Sequence, residues 1–277
     1  MARVQAIVAA AVVLMAAAAQ VATAGFPNQY WQARAARTTS APSTSFPTSA
    51  WQDATATFYG DDSGLGGDYG GACGYSGDNI ASLYSTQTAA LSTPLFADGK
   101  GCGGCYQIRC VQSKWCVAGS PSVVVTSTNL CPPGSLGGWC DPPKQHFDMA
   151  PPSFYKLAAR IAGVVPIQFR RVPCQRTGGV RFYITGNNYW YLLHIMNIGG
   201  AGDIGAVSVK SAGSSNWIEA TQNWGIAYQV CSELDKTVGL IVKITTGTSP
   251  QKTIVCDDAI PAYWDFGLTY QGSCNAW

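Results

Sequence analysis

A carboxylate set against an aromatic ring is the part of this sequence best suited to acid–base chemistry. The run Trp139-Cys140-Asp141-Pro142-Pro143-Lys144-Gln145-His146-Phe147-Asp148 places an acid directly after a ring, two residues from one of only 2 histidines. Burial beside an apolar ring disfavours the charged carboxylate and raises its pKa, the property a general acid needs. Two prolines and a cysteine stiffen the approach, and rigid irregular segments tend to carry binding and catalytic groups. The same residues also read as an ordinary loop, with Phe147 filling the core and Asp148 capping a turn. The surrounding elements must decide between the two.

Charged residues make up 12% of the 277, well below the usual quarter, while 31 glycines and 11% aromatics suit compact β structure with many turns. A net charge of +2 is too small to argue for nucleic acid or an acidic membrane surface. No zinc-ligand, P-loop or dinucleotide pattern occurs, so neither metal nor cofactor is expected. Residues 1–24 have the pattern of a secretory signal: Arg3, an apolar run from Ile7 to Ala19, and small residues at Ala22-Thr23-Ala24. That run is short for a membrane span, and no later stretch approaches spanning length. The expectation is a secreted protein in which disulfides can form.

Eight of the 11 cysteines (Cys73, Cys102, Cys105, Cys110, Cys116, Cys131, Cys140 and Cys174) fall close together and read as a disulfide framework whose pairing the spacing leaves open. Cys231, Cys256 and Cys274 follow, an odd number that leaves at least one unpaired.

Residues 25–53, rich in Ser, Thr, Pro and Ala, read as a mobile arm. Residues 54–59 alternate as a strand and run into a Gly-rich loop ending at Tyr75. Thr88–Phe96 reads as a short helix, Cys105–Cys110 and Ser122–Asn129 as strands, Ser153–Ala162 as a helix and Val164–Val172 as a strand. This count suits a small β-barrel. Beyond a boundary at Gln175–Gly179, short strands recur at 180–185, 189–196, 206–210, 217–221, 226–230, 238–245 and 253–256, the pattern of a β-sandwich. Aromatic residues are dense there, too many for all to be core, and exposed rings stack on flat partners such as sugar rings.

The chain resembles plant expansins, and their alpha branch in particular. The likeness runs through residues 54–277: Ala56-Thr57-Phe58-Tyr59-Gly60, Gly70-Gly71-Ala72-Cys73-Gly74-Tyr75, Cys102-Gly103-Gly104-Cys105-Tyr106, Asn129-Leu130-Cys131-Pro132-Pro133, His146-Phe147-Asp148, Arg170-Arg171-Val172-Pro173-Cys174, Gly199-Gly200-Ala201-Gly202-Asp203 and Asn223-Trp224-Gly225. The insert containing Trp139-Cys140 marks the alpha branch. The resemblance implies a mainly β protein: a six-stranded double-psi β-barrel stapled by disulfides (54–177), then an Ig-like β-sandwich that binds cellulose (178–277). It implies the pairs Cys73–Cys102, Cys105–Cys174, Cys110–Cys116 and Cys131–Cys140. It also implies a monomeric, extracellular cell-wall protein that loosens contacts between cellulose and matrix glucans such as xyloglucan, at acid pH and without hydrolysis.

The implied groove residues are Thr57, Tyr59, Asp68, His146 and Asp148, and the implied cellulose platform is Tyr189, Trp190 and Trp224, with Trp217 and Trp264 assigned to packing. Strand alternation would send Tyr189 and Trp190 to opposite faces unless the strand entrance twists or bulges. The barrel is also similar to family-45 endoglucanases, in which Asp148 would match the general acid. Those enzymes invert and need a second carboxylate across the glycan. Thr57-Phe58-Tyr59-Gly60-Asp61 puts Asp61 in the register of that base, so an inverting endoglucanase with Asp148 as acid and Asp61 as base is the alternative. Expansins generally lack that base, and most lack the three late cysteines. A Cys231–Cys256 bridge leaving Cys274 free is one arrangement of those, and the sequence leaves their pairing open.

Overall fold

The structure is a computed structural model that describes residues 46–63, 70–119, 121–134 and 137–276. The secretory signal, most of the arm and Asp68 lie outside these residues. Six strands close a barrel: β1 (Gln52–Phe58), β2 (Thr88–Leu91), β3 (Cys105–Cys110), β4 (Ser122–Leu130), β5 (His146–Met149) and β6 (Val165–Arg171), in the order β1-β5-β2-β4-β3-β6. β1–β5 and β2–β4 run parallel and the other neighbours antiparallel. Alternation sends Ala56, Ile108, Phe147, Met149, Ile167 and Phe169 into one buried core.

Several local readings change. The segment carrying Asp148 is a strand, β5, held on both edges by β1 and β2; four residues between prolines are too few to show a period. Thr88–Phe96 is not a helix but β2 followed by one turn, α2 (Thr93–Phe96), after α1 (Gly77–Tyr84). All four β2 residues are buried, so no alternation betrays the strand. Ser153–Ala162 holds only the end of α3 (Pro151–Phe154) and a 3-10 turn at Arg160–Ala162. The arm reading does not hold for residues 46–53. Phe46 is buried, Ser49 exchanges hydrogen bonds with Arg171, and β1 starts at Gln52.

The second half forms eight strands: β7 (Arg181–Asn187), β8 (Trp190–Met196), β9 (Ala206–Ser211), β10 (Ile218–Trp224), β11 (Ala227–Val230), β12 (Leu240–Thr245), β13 (Thr253–Ile260) and β14 (Leu268–Gln271). Their order is β13-β12-β9-β10-β11-β8-β7-β14. β10 bonds β9 through Ile218–Ala220 and β11 through Thr221–Trp224, so it passes from one layer to the other. Between the layers lie Phe182, Tyr191, Leu193, Tyr228, Val242 and Ile244.

Cysteines join as Cys73–Cys102, Cys105–Cys174, Cys110–Cys116, Cys131–Cys140 and Cys256–Cys274. The last settles the pairing that the sequence left open, in favour of Cys256–Cys274 over Cys231–Cys256. Cys256 points into the core, where the segment after β14 returns, whereas Cys231 is exposed and free. Mild reduction is expected to unfold the barrel, with four bridges, before the sandwich, with one, since losing a native disulfide typically costs about 2–5 kcal/mol. Segment-resolved hydrogen exchange checks this; simultaneous loss of protection in both halves would contradict it.

Candidate functional site

The parallel pairing of β1 and β5 sets Thr55 opposite His146 and Thr57 opposite Asp148, on the face away from the core. Thr57 Oγ1 lies 2.6 Å from Asp148 Oδ1 and 2.8 Å from His146 Nε2, and Thr55 Oγ1 lies 2.7 Å from His146 Nδ1. A neutral imidazole has one donor and one acceptor. With the Thr57 hydroxyl donating to the carboxylate, its oxygen accepts from Nε2–H, and bare Nδ1 accepts from Thr55. This network assigns the tautomer. Three hydrogen bonds therefore run in one direction, ending on Asp148. His146 is fully buried, with Trp139 of the insert stacked over it at 6.2 Å. Burial lowers its pKa to about 4, which keeps it neutral.

Asp148 is half-buried. Desolvation pushes its carboxyl above the ordinary carboxylate range, against the pull of the Thr57 hydroxyl. Beside it, burial raises the Tyr59 phenol, with the Asn129 hydrogen bond opposing and the charge of Asp148 adding. Asn129 Nδ2 donates to Tyr59 Oη at 3.2 Å, while its Oδ1 accepts from Ala72 N at 2.7 Å. Thr57, Tyr59 and Asp148 thus lie together, whereas His146, expected in the groove, is fully buried behind them and supports Thr57 by its hydrogen bond. Asp61 lies on an exposed turn. Hydrogen bonds from Ser63 hold its carboxyl below the usual range, and none joins it to the Thr57–Asp148 group among the described residues.

Sequence reasoning missed Thr55, Asn129 and Trp139. Thr55 shares the parity of Thr57 along β1, and Asn129 ends the polar tip of β4, so both carried a signal. The stacking of Trp139 over His146 depends on the loop closed by Cys131–Cys140 and carried none.

In the sandwich, Tyr189 is 71% exposed at the tip of the β7–β8 turn, off the sheet, where Asn187 Oδ1 accepts from its backbone N–H. Trp190 and Trp224 are 37% and 41% exposed. Their common face follows from register. Trp190 has the parity of His194, which pairs with Ala227, and Ala227 pairs with Trp224 across a β-bulge after Gln222. The extra residue turns Trp224 outward, where straight alternation would turn it toward the core. Trp264 is buried against Tyr191 and Phe266. Trp217 is not core: it lies half-exposed with the Lys210 and Lys243 ammoniums over its ring.

Barrel and sandwich meet beside Trp224. Ile226 N donates to Cys73 O at 2.9 Å, and His194 Nδ1 to Gly74 O at 3.2 Å. Gly74 (φ 86°) and Gly225 (φ 47°) allow this approach. A Cβ on Gly225 would stand 2.2 Å from Cys73 O. Arg171 and Asp203 add an ion pair of 3.2 Å across the junction.

Residues 180–261 match the family model of the expansin C-terminal domain, and residues 88–169 a barrel model described as lytic transglycolase. Over 277 residues the chain is 60% identical to Expansin-A17 of Oryza sativa subsp. japonica, covering 98% of this chain and 96% of that one. The chain belongs to the expansin family. Its placement in the alpha branch also fits Expansin-A7 of Arabidopsis thaliana, 50% identical over 230 residues, covering 81% of this chain and 86% of that one. A Clavibacter michiganensis expansin, solved alone and in complex with cellohexaose, shares the expansin fold at a TM-score of 0.61 and 18% identity, covering 82% of this chain and 98% of that one. No helix among the described residues is long and apolar enough to cross a membrane.

Proposed function

We propose that this expansin is secreted to the plant cell wall and loosens it without cleaving glycosidic bonds. The barrel groove grips a matrix glucan such as xyloglucan while the sandwich rests on cellulose. The observation that carries this is the isolation of Asp148. It ends a chain of hydrogen bonds that fixes its orientation, and among the described residues no second carboxylate is hydrogen-bonded to that group. An inverting hydrolase must hold a water between two carboxyls roughly 6.5–9.5 Å apart; Asp61, tied to its own turn by Ser63, is poorly held for that task. Asp148 and the Thr57 and Tyr59 hydroxyls instead offer acceptors and donors to glucan hydroxyls. The bound cellohexaose of the Clavibacter relative supports a β-glucan as ligand. Constant-load creep of heat-inactivated walls, with reducing sugar measured alongside, tests the reading. Creep without sugar release is expected, and sugar release that rises with creep would sink it.

The rings of Trp190 and Trp224 on one face, with Tyr189 at the adjoining tip, form the cellulose platform in this reading. Trp224→Ala is expected to lower cellulose adsorption several-fold with the melting temperature nearly unchanged, because aromatic stacking is worth about 0.5–1.5 kcal/mol. Trp264→Ala is expected to destabilise the sandwich by about 3–5 kcal/mol, the usual cost of truncating a buried aromatic. Adsorption isotherms and thermal melts of both variants separate the roles; the reverse pattern would mean that the faces are misassigned.

A further inference from the structure

On the outer wall of the barrel, away from the Asp148 face, β3 and β4 meet α1 and the segment after β6 around a cavity of about 350 Å³. That lies within the range of about 300–1,000 Å³ of small-molecule sites. Its lining combines amides (Gln87, Gln107, Gln175), the Arg176 guanidinium and an apolar strip including Leu83 and Val124. No carboxylate is among the described lining residues.

Arg176 is fixed in place. Its Nη2 donates to Thr126 Oγ1 at 3.1 Å and Gly103 O at 3.4 Å and lies 3.2 Å from Cys105 Sγ, while its Cζ stacks 4.6 Å from the Tyr84 ring. Yet among the described residues its charge is paired with no acid, and its buried Nε has no partner. A half-buried guanidinium without a counter-ion is a standing cost that an incoming anion removes. Arg and carboxylate match in shape as well as charge.

A second guanidinium is wired to the same opening. Cross-strand pairing sets Arg170 beside Gln107, and Arg170 Nε donates to Gln107 Oε1 at 2.8 Å. Arg170 in turn stacks 4.4 Å over Trp51, with no ion pair of its own among the described residues. One guanidinium, Arg176, thus lines a space walled by amides and apolar side chains, and a second, Arg170, stands behind Gln107. Gln107 is already tied to Arg170 and Ser122, and Gln87 donates to Val124 O, so the Gln175 amide offers the paired donor and acceptor that vicinal hydroxyls need, while the apolar strip suits the C–H face of a sugar ring.

We propose that this cavity binds a carboxylated sugar, a hexuronate residue of an acidic polysaccharide, independently of the Asp148 groove. Isothermal titration of the full-length secreted protein with tetragalacturonate tests it, with the fully methyl-esterified tetramer, cellotetraose and inorganic phosphate as comparison probes. The acid form is expected to bind at least tenfold more tightly than each of the other three. Val124→Glu and Gln175→Glu, both at exposed positions that leave Arg176 and its partners intact, are each expected to weaken tetragalacturonate at least tenfold without changing adsorption to cellulose. Binding of the methyl ester as tight as that of the acid would overturn the proposal. So would phosphate binding as tightly as the uronate, or full affinity retained in both variants.

Discussion

Asp148→Asn is expected to abolish most wall creep while leaving cellulose adsorption nearly unchanged. The substitution keeps the shape of the side chain and removes its ability to ionise. A hydrogen bond to a charged group contributes about 1.5–3 kcal/mol, so the grip on a glucan hydroxyl should weaken tenfold or more. The Thr57 hydroxyl, at 2.6 Å from Oδ1, would still find an acceptor in the amide oxygen, so the fold should survive. Asp61→Asn should change little, because that carboxylate is exposed and, among the described residues, bonds its own turn. Creep and adsorption measured on both variants check the pair. Wild-type sugar release that disappears in Asp61→Asn would establish the hydrolase alternative instead.

The second large effect is on stability. From pH 6.5 down to about 4, folding stability is expected to fall by about 3 kcal/mol on account of His146. The unfolded histidine takes up a proton below about 6.5, whereas the folded one, at about 4, does not. Across that window the unfolded state holds the extra proton, so stability rises with pH, by about 1.4 kcal/mol per unit. The penalty is absent above the window and complete below it. His194, also lowered by burial, acts with the same sign. Asp148 acts with the opposite sign, since its raised carboxyl pKa favours the folded state as protons are added. Urea midpoints of the wild type and His146→Asn between pH 4 and 7 check this. Parallel curves for the two proteins would show that His146 is not the group responsible.

The chemistry of the groove was more legible in the sequence than its geometry. Thr57 and Tyr59 could be named because they share a face of an alternating strand, Asp148 because it follows a ring beside His146, and all four through the resemblance to expansins. What could not be read was that His146 is wholly buried, since its cover, Trp139, arrives from a loop whose path depends on a disulfide. β2 was hidden for a related reason: both of its faces are covered, and a run of Thr-Ala-Ala-Leu has no period to betray a strand. Trp224 shows the limit most clearly. Its outward aim follows from one extra residue in β10, and a bulge has no local signature in Gln222-Asn223-Trp224. Trp217 was misjudged because a ring under two lysines looks apolar in sequence although it stands at the surface.

The backbone bond from Ile226 to Cys73 leaves no slack between the two halves. On the proposed reading, groove and platform are then held at a set spacing, like the jaws of a caliper. A polymer long enough to occupy both seats meets the second at high effective concentration once the first is filled, whereas a short oligosaccharide gains nothing from it. Affinity for glucans should thus depend on chain length as a step and not a slope, with the step placed by the rigid distance from Asp148 to Trp224.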